Sequence, residues 1–161
     1  MLKRVINKIR RNHALEHATI TLMLAKTGPM RVVGRAGTDG FYVWANVPKE
    51  TLEGYAHEAL GRLKKGEASL AVSPLCGTNI AVAGVLAGSA AFLAVGDRRG
   101  GLDGITRAIT AALFAMLAAQ PVGRLIQKHY TTSPDLAGVE IVSVDPVGGR
   151  SGLHKVRTAT A

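Results

Sequence analysis

The chain has 161 residues, a formal net charge of +9 and 47% hydrophobic residues, of which few are aromatic. That length fits one ordinary domain, or one small domain carrying an insertion. One cysteine, Cys76, excludes an internal disulfide and fits a reducing compartment.

The basic residues concentrate at the start, as Lys3, Arg4, Lys8, Arg10 and Arg11. No nucleic-acid motif or aromatic stacking platform accompanies them, so the expected partner is anionic lipid and not nucleic acid. Charges break the first apolar residues every few positions, so no signal peptide is expected. At about 100° per residue, Leu2, Ile6, Ile9, Ile20 and Leu24 share one helical stripe. This predicts an amphipathic helix whose stripe packs the core. His13 and His17 fall inside that stripe, with Glu16 at its edge.

Gly28-Pro29 breaks the helix. "RVVGRAGTDGFYVWANV" reads as two strands joined by Thr38-Asp39-Gly40. A second helix follows in "PKETLEGYAHEALGRLKKG", opened by Pro48 and stopped at Gly66, with Leu52, Tyr55, Ala59 and Leu63 as its apolar stripe. "ASLAVSP" reads as a short strand. No charge interrupts residues 68–96, and "NIAVAGVLAGSAAFLAVG" is long enough to cross a bilayer, which needs about 20 residues. A second span is expected from about Ile105 to Ile126, with Arg107 and Arg124 snorkelling and Pro121 kinking or ending it. "DRRGGLDG" would be the turn between them. Gly84 and Gly88, four apart, are expected to pack the hairpin on itself. Twelve Lys and Arg precede the first span and five lie from Arg124 onward, which places both termini in the cytoplasm. Finally, "GVEIVSVDP" and "LHKVRTAT" read as paired strands, joined through residues 147–150.

The expected architecture is therefore α+β. Residues 1–74 give a cytoplasmic helix, β-hairpin and helix. Residues 75–126 give a transmembrane helical hairpin, and residues 127–161 give strands that complete the cytoplasmic unit.

His13-Ala14-Leu15-Glu16-His17 matches H-x-x-E-H, the inverted zincin pattern. Two imidazoles four apart lie on one helical face and can share a zinc ion. The carboxylate between them can take a proton from water that the ion polarises. Zinc is the expected ion and iron the alternative. Cys76, in "SPLCGTN", is the leading third ligand, because a thiolate binds zinc strongly and Gly77 lets the backbone turn. His57, Glu53, Glu58 and His129 are the alternatives. Asn79 could orient a ligand or donate to an oxyanion. The plain reading stands beside this one: the histidines bond backbone carbonyls, Glu16 pairs with Arg10, Arg11 or Lys128, and Cys76 is a small core residue. His154 falls in an expected edge strand.

"RNHALEHATI", "GFYVWANVP", the Pro-x-Cys-Gly-Thr-Asn stretch, "AQPVG" and "HYTTSPDL" together resemble a family of small bacterial membrane proteins, the domain of unknown function DUF6391. The likeness runs from about Arg11 to Val144. It implies a membrane protein and marks His13, Glu16, His17, Cys76, Gly77, Thr78 and Asn79 as motif positions. It implies no established activity. The resemblance to inverted zincin peptidases covers five residues, and the downstream Glu ligand of those enzymes has no clear counterpart here. Two functions are open: a metal-dependent membrane hydrolase or peptidase, or a non-catalytic accessory subunit of a larger membrane complex. The bilayer, a second copy of the chain or another membrane protein are the expected partners.

Overall fold

The computed structural model describes residues 1–95, 101–148 and 151–160. In chain order they form α1 (Leu2–Thr27), β1 (Val32–Gly37), β2 (Gly40–Ala45), α2 (Lys49–Lys64), a 3₁₀ turn (Ala68–Ala71), α3 (Gly77–Val95), α4 (Gly101–Ile126), a π-helical turn (Gln127–Thr131), β3 (Val139–Pro146) and β4 (Leu153–Thr160). This is a mixed α+β chain. Among the described residues, four strands make one antiparallel sheet in the order β1-β2-β4-β3. The chain divides into two compact units, Met1–Ser73 with Lys128–Ala161, and Pro74–Gln127.

The first unit is a two-layer structure with its core between the helices and one face of the sheet. Strand β2 alternates strictly: Phe41, Val43 and Ala45 are buried, while Tyr42 and Trp44 are exposed. Pairing sets Val156 opposite Phe41, and Val144 opposite Val156, so all three sit on the inner face. Onto it α1 lays Ala14, Leu15, Ala18, Leu22 and Met23, and α2 lays Leu52, Ala56, Ala59, Leu60 and Leu63. Each large side chain buried this way contributes roughly 1.5–3 kcal/mol. The β1–β2 turn depends on Gly40, whose φ is 132° and where a Cβ would run into the carbonyl of Val156.

In the second unit α3 and α4 pack against each other. Both are long and apolar enough to cross a membrane, and few of their residues are buried. The turn expected over "DRRGGLDG" lies partly outside the described residues, at positions 97–100, while Gly101 already begins α4. Residues 149 and 150 of the expected β3–β4 turn are likewise outside them.

Several local expectations are corrected. Leu2, Ile6 and Ile9 are 73%, 45% and 37% exposed, so the first part of the α1 stripe does not reach the core. "ASLAVSP" is not a strand: Leu70 N–H donates to Glu67 and Val72 N–H to Ser69, and these local bonds wind it into a turn. A Cβ at Gly84 or Gly88 would meet nothing within 4 Å, so neither glycine brings the two helices close. Helix α4 does not end at Pro121 but continues to Ile126. His154 is in β4, an inner strand of the sheet rather than an edge.

Candidate functional site

The H-x-x-E-H segment lies in the middle of α1, in the first unit. One turn apart on the same face, the rings of His13 and His17 have centroids 4.3 Å apart and planes tilted by 59°. His17 is buried and His13 half-buried. The Nδ1 of His17 lies 2.8 Å from the carbonyl oxygen of Ala71, in the 3₁₀ turn. The Nδ1 of His13 lies 3.0 Å from the carbonyl of Thr131, in the π-helical turn. A carbonyl only accepts, so each Nδ1 carries the proton and donates it. In a neutral ring the lone pair then belongs to Nε2. That is the tautomer and orientation in which an imidazole ligates a metal. The expected bonds to backbone carbonyls are therefore present, and they suit a ligand as well as a packed histidine.

Glu16 is also buried, at 6% exposure. Its carboxylate leans toward β1, where a Cβ on Gly34 would collide with it and would lie 2.8 Å from Ile20 Cδ1. The missing side chain at 34 makes the room for the carboxylate. Of the basic residues expected beside Glu16, Arg10 donates from Nη2 to the carbonyls of His129 and Thr132, both at 3.0 Å. Arg11 pairs with Asp135 at 2.9 Å. The Ala137 N–H, and then Arg11, hold the Asp135 carboxyl below its usual range.

Asn12, which the sequence did not single out, fixes this part of α1 to the sheet. Its Nδ2 donates to Gly37 O at 2.8 Å, and its Oδ1 accepts from Thr158 Oγ1 at 2.7 Å. The alternative ligands are placed as follows. His57 and His129 are exposed. Glu58 pairs with Lys26 at 2.6 Å. Glu53 is half-buried on α2. His154 is buried among apolar neighbours, and neither ring nitrogen has a hydrogen-bond partner among the described residues.

Cys76 belongs to the second unit, just before α3, and is 7% exposed. The Thr78 N–H points at its Sγ, 3.4 Å away, and the Asn79 N–H donates to its carbonyl at 3.0 Å. Asn79 is buried, and its carboxamide is engaged at both ends. Nδ2 donates to Pro74 O at 2.9 Å, and Oδ1 accepts from Gln127 Nε2 at 2.9 Å. The side chain thus ties the start of α3 to the end of α4. Gly123 permits this, since a Cβ there would strike Asn79 Oδ1. Gln127 and Gly123 were missed in the sequence. Their signal is a Gly and a Gln four apart on one helical face, at the polar end of an apolar helix.

A relative from Picosynechococcus sp., an uncharacterized protein, is 37% identical over 138 residues. The match covers 78% of this chain and 66% of that protein, so the chain spans just under two thirds of its length. No solved structure matches. A family model matches residues 8–144, with the histidine pair, the Cys-Gly-Thr-Asn stretch and both apolar helices inside the matched range, and the chain belongs to that family, the Domain of unknown function (DUF6391).

Proposed function

We propose that this chain is an integral membrane protein of two spans, α3 and α4, which holds one metal ion through His13, His17 and Cys76. The single observation that supports metal binding most is the pair of Nδ1–carbonyl bonds. They give two buried or half-buried imidazoles on one helical face the same tautomer, the one in which Nε2 is the nitrogen that ligates a metal. Cys76 is the third ligand by its chemistry. It is a buried thiol, and it follows five residues after Ala71, the residue that holds His17. Zinc suits a two-nitrogen, one-sulfur donor set, with iron as the alternative.

When bound, such an ion would supply a positive charge that polarises a carbonyl or a water. Glu16 is the proton acceptor in this reading. Its carboxylate is buried beside the pair, and Gly34 leaves it room to stay there. Asn79 then acts as a positioning residue, because its carboxamide and backbone N–H shape the loop that carries Cys76. The reaction class is hydrolysis of a peptide or a lipid-linked ester at the membrane. The charge bias of the sequence puts both termini in the cytoplasm.

The exposed outer face of the sheet favours a second reading, that of a non-catalytic accessory subunit. Val33, Tyr42 and Trp44 are 59%, 40% and 50% exposed there, which is a patch for another protein. Elemental analysis of the purified, detergent-solubilised chain separates the two readings. The first requires about one zinc or iron per chain, with the metal lost in His17→Ala and in Cys76→Ser. A metal-free protein whose stability does not change on adding zinc would leave only the second.

A further inference from the structure

We infer that residues 2–9 of α1 lie flat on an anionic membrane surface and act as an interfacial anchor, an inference that rests on the membrane reading above. Leu2, Val5, Ile6 and Ile9 recur at helical spacing within an arc of about 100°. They are 73%, 36%, 45% and 37% exposed, so no part of the first unit covers them. Lys3, Arg4, Lys8 and Arg11 occupy the opposite arc, and the first acidic residue of the chain is Glu16. An apolar stripe backed by a face that carries four cations, one asparagine and no acid is the pattern of a helix that lies in the headgroup region.

Two further observations point to lipid as the occupant. The helix dipole disfavours positive charge at an N-terminus, yet the first turn of α1 holds Lys3 and Arg4 and no acidic residue. Those charges work against the helix on its own and are compensated by an external anion. The segment is also tethered close to an apolar helix end. Arg10 donates to the carbonyls of His129 and Thr132, and Ser133 N–H donates to Arg10 O at 3.0 Å. His129 is only three residues beyond Ile126, the last residue of α4, which is about 11 Å of chain at most. If α4 crosses the bilayer, its tether holds α1 near headgroup level. Further along the same helical face lie His13, half-buried, and His17 and Ile20, both buried, so the exposed stripe ends where the histidine pair begins.

The test uses the full chain with Trp44→Phe, to remove the native fluorophore, and a single new tryptophan. One variant carries Ile6→Trp, and a control carries Phe92→Trp in α3. Each is reconstituted into vesicles of phosphatidylcholine alone or with added phosphatidylglycerol, with and without acyl-chain-brominated lipid. The position-6 probe should shift to the blue and lose about half its emission to brominated lipid when phosphatidylglycerol is present. It should lose less in phosphatidylcholine alone, or at about 1 M salt, where charges are screened within about 3 Å. Changing Lys3, Arg4 and Lys8 together to Gln should abolish the dependence on lipid charge. A position-6 probe quenched by aqueous iodide and untouched by brominated lipid, beside a lipid-quenched position-92 probe, overturns the anchor and leaves the membrane reading intact. A position-92 probe that brominated lipid does not reach overturns both. Protection of position 6 from iodide and brominated lipid alike also overturns the anchor, because protein, such as a second copy, then covers the stripe.

Discussion

Phe41 and Phe92 are the same residue in two different surroundings. In the first unit Phe41 is wholly buried on the inner face of the sheet, whereas in the second Phe92 is 80% exposed on α3. The contrast extends to their neighbours. The first unit sorts its apolar residues inward by strand alternation and helix stripe, while the second leaves Ile80, Leu93, Phe114 and Leu117 all outward. A surface of that kind is unfavourable in water but costs nothing against hydrocarbon. The lesson is that apolar content alone does not say what a residue packs against. The largest effect should come from testing this directly. Phe41→Ala should destabilise by about 3–5 kcal/mol, through lost burial and a cavity. Phe92→Ala should cost less than about 1 kcal/mol, since a side chain 80% exposed has little packing to lose. Denaturant unfolding in detergent, followed by circular dichroism, measures both. Equal costs would show that α3 is packed as tightly as the sheet, and would end the comparison.

A contrast of intermediate size lies within the second unit. Gly84 and Gly88 have the small-residue spacing of a close helix contact, but open space surrounds both. Gly123 instead lies against the Asn79 carboxamide. Gly123→Ala should therefore cost about 1–3 kcal/mol, as the added methyl displaces Asn79 from Gln127. Gly84→Ala should be neutral or stabilise by up to about 1 kcal/mol, from helix propensity. Thermal unfolding of the two variants side by side decides this. If Gly84→Ala were the worse of the two, the helices would touch along the glycine stripe after all.

Part of this arrangement was legible in the sequence. Period-two alternation in "FYVWA" and in "VEIVSV" located β2 and β3, because a half-buried strand allows little else. The i, i+4 spacing brought His13 and His17 onto one helical face. Other features depend on residues far apart in the chain. The carbonyls that orient the two rings come from Ala71 and Thr131, 54 and 118 residues away. The room for Glu16 comes from an absent side chain at Gly34, and the distant partner of Asn79, Gln127, comes from just past the end of α4. Helical periodicity also located the stripe of Leu2, Ile6 and Ile9 without saying what packs on it, and the described residues leave it exposed.

The smallest expected effect concerns charge, which sets the sheet apart from α3, a helix with no ionisable side chain. On the outer face of the sheet Lys155 is only 5% exposed, with its Nζ 2.8 Å from Asp39 Oδ1 and 4.2 Å above the Tyr42 ring. The hydrogen bond from Lys155 holds the Asp39 carboxyl below its ordinary value of 3.8, against a smaller opposing effect of burial. A carboxyl lowered on folding stabilises the fold fully above its unfolded value. That contribution fades as pH drops through the folded value. Most of the Asp39 side chain is in water, so the ion pair is screened and contributes under about 1 kcal/mol. Asp39→Asn should therefore lower the urea midpoint slightly at neutral pH, and the difference from wild type should close as the pH falls below about 4. A midpoint difference that persists in acid would assign the cost to the lost turn geometry at Asp39. No difference at any pH would mean that the Tyr42 ring alone satisfies the Lys155 ammonium. In either case the first unit would have managed a nearly buried charge without the ion pair.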